Sequence, residues 1–396
     1  MISKKYDMNL MSLISLGIGS IVGAGIFALL GQVVLQAGDK TYWTFIIAGI
    51  AALFSGYSYA KLAAVYPHSG GLSDYFHAAF KNKWISGSLT LIYMLTSAIT
   101  ISMMAKSFGI YAAKYFTAVP DHGQMVNVYA SILIIGLALL NMMGATDVGW
   151  TEILLVAIKF IILSALATAA LWNFDFGVQT HSAHPTVIGF LGTIGITFFA
   201  FAGYGVITNA AADVKNPQTT IRRGIFLTLI IVTILYLLLA FVILNYIPEE
   251  ELHQNADIAV AVAAKKLLGA WGYELMYVAA VFAFISGINA TFFSIFRISR
   301  SLGEQKILPH FYVQKFWRHG TFGNLLTSTL ILLATLYFNF SAIVNLASAA
   351  YLVSYLGVFA ANWQLRRETK SSAALILIGA ALMIFILIAF IISIVS

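Results

Sequence analysis

The sequence has no cysteine, only six prolines, and few charges: Lys, Arg, Asp and Glu together make up 9% of 396 residues, against about 25% in an ordinary soluble protein. Without a thiol there is no disulfide framework, thiolate metal site or cysteine nucleophile. With 60% apolar residues, too little polar surface remains for a water-soluble globule. Polar or Pro/Ser-rich linkers are also missing, which leaves one unit and excludes disorder and collagen. The formal charge of +7 comes from basic residues in short loops, where they are topology signals rather than a patch for nucleic acid. No HExxH, GxSxG or P-loop occurs, and GIGSIVG at Gly17 to Gly23 lies inside an apolar run instead of following a strand, so an enzyme is set aside. His181 and His184 read as solvated loop residues, and neither a metal nor a cofactor is expected.

Long apolar runs fill the chain instead. A bilayer core about 30 Å thick needs about 20 apolar residues per helix. Eleven runs meet this pattern: Asn9 to Gln36, Tyr42 to Ala60, Trp84 to Ala105, Met125 to Met143, Ile153 to Trp172, Pro185 to Ala212, Gly224 to Ile247, Leu268 to Phe296, Phe322 to Phe338, Ala342 to Gln364 and Ser372 to Val395. If the chain starts in the cytoplasm, as Lys4 and Lys5 suggest, 16 of the 22 Lys and Arg residues fall on the inner side. Five fall outside and Lys159 lies within a helix. The bias follows the positive-inside rule and sets an inner N-terminus and an outer C-terminus. No cleavable signal is expected, because the run after Lys5 continues past the h-region of a signal peptide. In the longest outer loop, Pro248 to Leu267, the stretch AVAVAAKKLL is expected to form a short surface helix.

The first run holds Gly17, Gly19, Gly23 and Gly25, and the sixth holds Gly203 and Gly205. Gly19-xxx-Gly23 also suits a small-residue packing seam. However, the two glycine-rich runs occupy matching places if crossings one to five and six to ten are repeats. Five is odd, so the second repeat is inverted. Paired interruptions of this kind point to the substrate site of a secondary transporter, because unpaired backbone in the membrane must line a cavity. In the first helix the outer half begins near Ala24 and Gly25 with free N–H groups and a positive dipole end. The inner half ends near Ser20 and Ile21 with free carbonyls, and the outer half of the sixth ends near Phe199 to Ala202 with more. Anion and cation sites side by side suit the carboxylate and ammonium of an amino acid.

The chain resembles the amino acid permeases of the amino acid-polyamine-organocation superfamily over nearly its whole length. The motifs are GSIVGAGIF at Gly19 to Phe27, PHSGGLSDYF at Pro67 to Phe76, FAFAGYGVITNAAADVKNP at Phe199 to Pro217, and NATFFSIFRISRSLGEQKILP at Asn289 to Pro309. The resemblance implies an all-α polytopic, leucine-transporter-like fold: a first repeat over 9–172, an inverted second repeat over 185–364, and an additional helix over 372–395. It implies alternating access, with the first, second, sixth and seventh helices rocking against a scaffold. It further implies that backbone N–H groups around Ala24, Gly25 and Ile26 receive the substrate carboxylate. The carbonyls of Ile21, Phe199 and Ala202, beside Gly203, would receive its ammonium, with Phe199 as an aromatic gate. Departures are Ala24 where many members have Ser, Ala202 where related exchangers have Gly, and eleven crossings where twelve are usual.

Lys159 is the basic residue set deep in a helix, and an intramembrane charge is a functional candidate by default, the plain alternative being a side chain that snorkels to the interface. Its position resembles the fifth-helix lysine of sodium-independent members, whose ammonium replaces a sodium ion. Carried over, its contacts are the Gly19 carbonyl and Ser286. Desolvation favours the neutral amine, so proton coupling and sodium-independent exchange both remain open. The expected walls, Ala98, Ile99, Phe201, Phe282 and Tyr351, carry no charge, which favours neutral amino acids. The expected partners are therefore a neutral amino acid, membrane lipid and protons. Alternatives on the same fold are an amino acid sensor and a carrier of polyamines or cationic amino acids. An ion channel is disfavoured by the lack of charged rings or a filter loop.

Overall fold

The computed structural model describes residues 8–67, 71–116, 123–143, 148–173 and 185–395, with the side chains of Ala24 and of residues 148–152 left aside. Lys4, Lys5, His181, His184 and part of the Pro67 to Phe76 motif lie outside the described residues. The helices are α1 (Leu10–Ile21), α2 (Ala24–Ala37), α3 (Thr41–Val65), α4 (Leu72–Ala79), α5 (Lys83–Phe116), α6 (Gly123–Met143), α7 (Val148–Trp172) and α8 (Val187–Phe201). They continue with α9 (Val206–Asn209), α10 (Pro217–Tyr246), α11 (Glu249–Asn255), α12 (Ala259–Glu304), α13 (Phe322–Tyr337), α14 (Phe340–Gln364) and α15 (Ala373–Val395). Among the described residues, nine helical stretches are long and apolar enough to cross a membrane, and Leu10–Ile21 and Phe322–Tyr337 are shorter apolar helices. The protein is an all-α polytopic membrane protein.

Local chemistry explains many of the helix ends. Asn9, Thr186, Thr321 and Asn339 each accept an N–H from the first turn of the helix that follows, at 2.8 to 3.2 Å, which satisfies donors that have no carbonyl behind them. Pro217 opens α10, where its missing N–H is not needed. Within α5 the hydroxyls of Thr90, Thr96, Ser97, Thr100 and Ser107 bond to carbonyls one turn back at 2.7 to 3.0 Å. These five hydroxyls are thus satisfied within the apolar interior.

The broken pair α1/α2 and α8/α9 is enclosed by α3, α5, α7, α10, α12 and α14, while α15 packs on α8 and α14. Three features differ from the sequence expectations. First, α5 runs on to Phe116 because Lys106, at the expected boundary, donates to the Phe338 carbonyl and costs the helix nothing. Second, the AVAVAAKKLL stretch is helical but not a surface element. Ala259 to Ala264 are buried, and the helix continues through a kink at Gly269 (φ 69°) into α12. Its small residues pack inward, and the lysines and Leu268 face out. Third, the all-α architecture carries one antiparallel hairpin, β1 (Lys315–Trp317) with β2 (Gly320–Thr321).

At the far end of α14, buried Asn362 donates to the Ser58 hydroxyl at 3.1 Å and accepts from Thr369 at 3.0 Å and Ser371 at 2.9 Å. This knot ties α3 to the turn before α15. Asn362→Leu strands those hydroxyls, and the expected loss is about 1–3 kcal/mol, read as a lower thermal unfolding midpoint in detergent.

Candidate functional site

The first helix stops at Ile21. Val22 N–H still reaches the Ile18 carbonyl at 2.8 Å, but Gly23 N–H turns back to Ile21 at 2.9 Å, and helix resumes only at Ala24. The first N–H groups of α2, those of Ala24, Gly25 and Ile26, therefore have no carbonyl one turn behind them. The sixth segment stops at Phe201. Ala202 N–H folds back to the Phe199 carbonyl at 2.9 Å, and tight turns follow from Gly203, Tyr204 and Gly205.

The two breaks touch. Gly203 has φ 119°, and a Cβ there would lie 2.7 Å from the Ser20 hydroxyl oxygen. On Gly25 a Cβ would lie 2.6 Å from the Ala200 carbonyl oxygen. Glycine is thus required at both positions, once for a left-handed backbone and once for close approach. Gly23 serves the packing seam as well, since its Cβ would come 3.3 Å from the Ala283 carbonyl of α12. Ile21, Ile26, Phe199 and Ala202 are 1%, 0%, 4% and 8% exposed, so the breaks are sealed from solvent.

Side chains from neighbouring helices hold the loosened backbone. Lys159, fully buried on α7, donates to the Gly19 carbonyl at 3.2 Å, the Val22 carbonyl at 2.9 Å and the Ser286 hydroxyl at 3.3 Å. Its ammonium sits at the carbonyl end of α1, where the helix dipole is negative. Tyr236 of α10 reaches the Ile21 carbonyl at 3.1 Å and the Ala200 carbonyl at 2.9 Å, so one hydroxyl spans both breaks. Tyr355 of α14 accepts the Gly203 N–H at 3.4 Å, and Tyr204 makes a short bond with Ser55.

The Phe199 ring lies 5.5 Å from Tyr351, tilted by 35°. The Tyr351 hydroxyl is 3.3 Å from that of Thr100, and its ring is 6.5 Å from Tyr93. Of the walls expected from sequence, Tyr351 stands beside Phe199, and Ala98 and Ile99 are half-buried on α5. Phe201 is not beside Phe199: its ring packs between Phe45 and Tyr236, because residues two apart on a helix point to opposite sides. Phe284, two residues beyond Phe282, is the one that meets Phe27 and Tyr111. Tyr236, Tyr93 and Thr100 escaped the sequence reading. The available signal was a tyrosine in the middle of an apolar crossing, which needs an acceptor for its hydroxyl.

A family model described as amino acid permease matches residues 8–396. The chain belongs to this family. It is 38% identical over 386 residues to the inner membrane transport protein YbaT of Escherichia coli, covering 98% of this chain and 90% of that protein. To the serine/threonine exchanger SteT of Bacillus subtilis it is 25% identical over 77% of this chain and 70% of that one. To the branched-chain amino acid permease BcaP of the same organism it is 26% identical over 78% and 69%. The permease is accordingly a transporter of amino acids across a membrane, and not an enzyme.

Two substitutions probe the joined breaks. Gly203→Ala forces a methyl onto Ser20 and a left-handed φ onto alanine, and amino acid uptake in proteoliposomes is expected to fall at least about tenfold; wild-type uptake would show the break is not needed. Tyr236→Phe leaves two buried carbonyls short of a donor and is expected to cost about 1–3 kcal/mol in thermal unfolding.

Proposed function

We propose that this permease is a secondary active transporter of neutral L-amino acids across the cytoplasmic membrane, working by alternating access. The observation that carries the reading is the meeting of unlike helix ends: α1 closes on carbonyls, α2 opens on N–H groups, and α8 closes on carbonyls at the same spot. A zwitterion fits such a place without any charged side chain. In this reading the N–H groups of Ala24, Gly25 and Ile26 hold the carboxylate. The ammonium takes the carbonyls of Ile21, Phe199 and Ala202, next to Gly203. Since the Ile21 carbonyl already receives Gly23 N–H and the Tyr236 hydroxyl, the incoming ammonium replaces the tyrosine bond.

Phe199 acts as the gate, and uncharged Tyr351, Tyr93 and Thr100 surround the side chain of the substrate. The repeats over 9–172 and 185–364, with an additional helix over 372–395, supply the moving bundle and the scaffold. The N-terminus lies in the cytoplasm and the C-terminus outside, as the loop charges imply. Lys159, with Gly19 and Ser286, takes the place of a sodium ion, which makes the cycle proton-coupled or a sodium-independent exchange.

Two experiments test the reading. In proteoliposomes offered a panel of radiolabelled amino acids, neutral ones are expected to saturate uptake, and a preference for arginine or glutamate would overturn the neutral pocket. Lys159→Ala is expected to lower uptake at least about tenfold, because it removes a charge-assisted donor from buried carbonyls. Uptake indifferent both to that change and to an imposed pH gradient would refute a coupling role.

A further inference from the structure

Among the described residues, one end of the helix bundle gathers positive charge outside any ion pair. Among the described residues the ion pairs are Lys266 with Glu251 and Arg300 with Glu304; Lys83, Lys306, Lys315 and Arg318 belong to neither. From Gln305 to Arg367 the sequence contains no Asp or Glu. Lys83 donates to the backbone carbonyl of Lys306 at 3.0 Å, which draws like charges together instead of apart. Among the described residues, the non-glycine residues with left-handed backbone are Lys306 (φ 56°), Arg318 (φ 48°) and Lys370 (φ 50°), all basic in a conformation that Gly or Asn adopts more readily.

The hairpin β1–β2 is the centre of this surface. It is docked firmly: His319 N–H bonds the Met142 carbonyl at 3.1 Å, and Phe322 N–H bonds Gln314 at 3.0 Å. Its outward residues are nevertheless free, since Lys315, Phe316 and Trp317 are all exposed. The Arg318 guanidinium lies over the Trp317 ring at 5.3 Å, and the Phe316 ring packs 5.1 Å from Phe322, the first residue of α13. With α13, a shorter apolar helix, set across the membrane, a strand joined to it without a spacer is held at headgroup depth. Aromatic rings beside unpaired cations are the composition of a membrane interface, and cations at that depth attract acidic headgroups.

We propose that the hairpin, through Lys315, Trp317 and Arg318, binds the phosphate headgroups of anionic phospholipids. The unanswered charge supplies the complement to the headgroup, and Phe316 and Phe322 mark the hydrocarbon boundary below it. The inference rests on α13 crossing the membrane, and not on which amino acid is carried.

The test needs no transport measurement, so its outcome is separable from the substrate reading. Purified full-length protein is titrated with phosphatidylglycerol and with zwitterionic phosphatidylcholine, and bound lipid is counted by native mass spectrometry. In the variant Lys315→Gln/Arg318→Asn the asparagine keeps the left-handed turn. Its affinity for phosphatidylglycerol is expected to fall at least about tenfold, since each interfacial cation is worth about a fivefold change, while phosphatidylcholine binding stays as it was. Lys315→Arg/Arg318→Lys is expected to restore phosphatidylglycerol binding, and Lys265→Gln/Lys266→Gln at the opposite end to leave it unchanged. Wild-type binding by the hairpin variant, equal loss of both lipids, equal loss in the opposite-end variant or failure of the charge-conserving pair would each overturn the proposal. So would full competition by soluble glycerol phosphate, which would mark a free-phosphate site.

Discussion

A backbone that leaves the helix inside a membrane must find donors and acceptors somewhere, and this requirement organises the centre of the permease. Around the first break, carbonyls that α1 no longer pairs are taken by the Lys159 ammonium and the Tyr236 hydroxyl. Around the second, Tyr236 takes the Ala200 carbonyl and Tyr355 accepts from Gly203. These side chains come from α7, α10 and α14, so the interruptions are supported from three surrounding helices. The unwound stubs remain buried because their neighbours supply what the lost turns would have supplied.

The positions of the long apolar helices were legible because hydrophobic length is a strong one-dimensional signal, and the clustered glycines marked where both helices stop. What lay beyond was the identity of the supporting groups. Lys159 stood out as a charge in an apolar run, but nothing in its own segment indicated that the Val22 carbonyl would be among its partners. Tyr236 was hidden in its segment, since one tyrosine among leucines and isoleucines reads as packing until its hydroxyl is seen to meet two carbonyls from other helices.

Other misreadings have a common cause in rotation about a helix axis. Phe201 was assigned to the pocket wall, yet a displacement of two residues turns a side chain to the opposite face, and its ring packs between Phe45 and Tyr236 while Tyr351, also expected in the wall, meets Phe199. Helix ends were misjudged where a charge looked like a boundary. Lys106 satisfies itself on the Phe338 carbonyl and lets α5 continue, and the alanine-rich outer stretch turns its small residues inward to join α12 across Gly269.

The grip on α1 alternates along its final residues. Gly19 and Val22 are fastened to α7, whereas Ile21, between them in sequence, is fastened to α10. Two helices on different sides thus pull on adjacent peptide groups of one short stub. If α7 and α10 part company, the stub cannot follow both, and whichever fastening yields first sets which helix carries it.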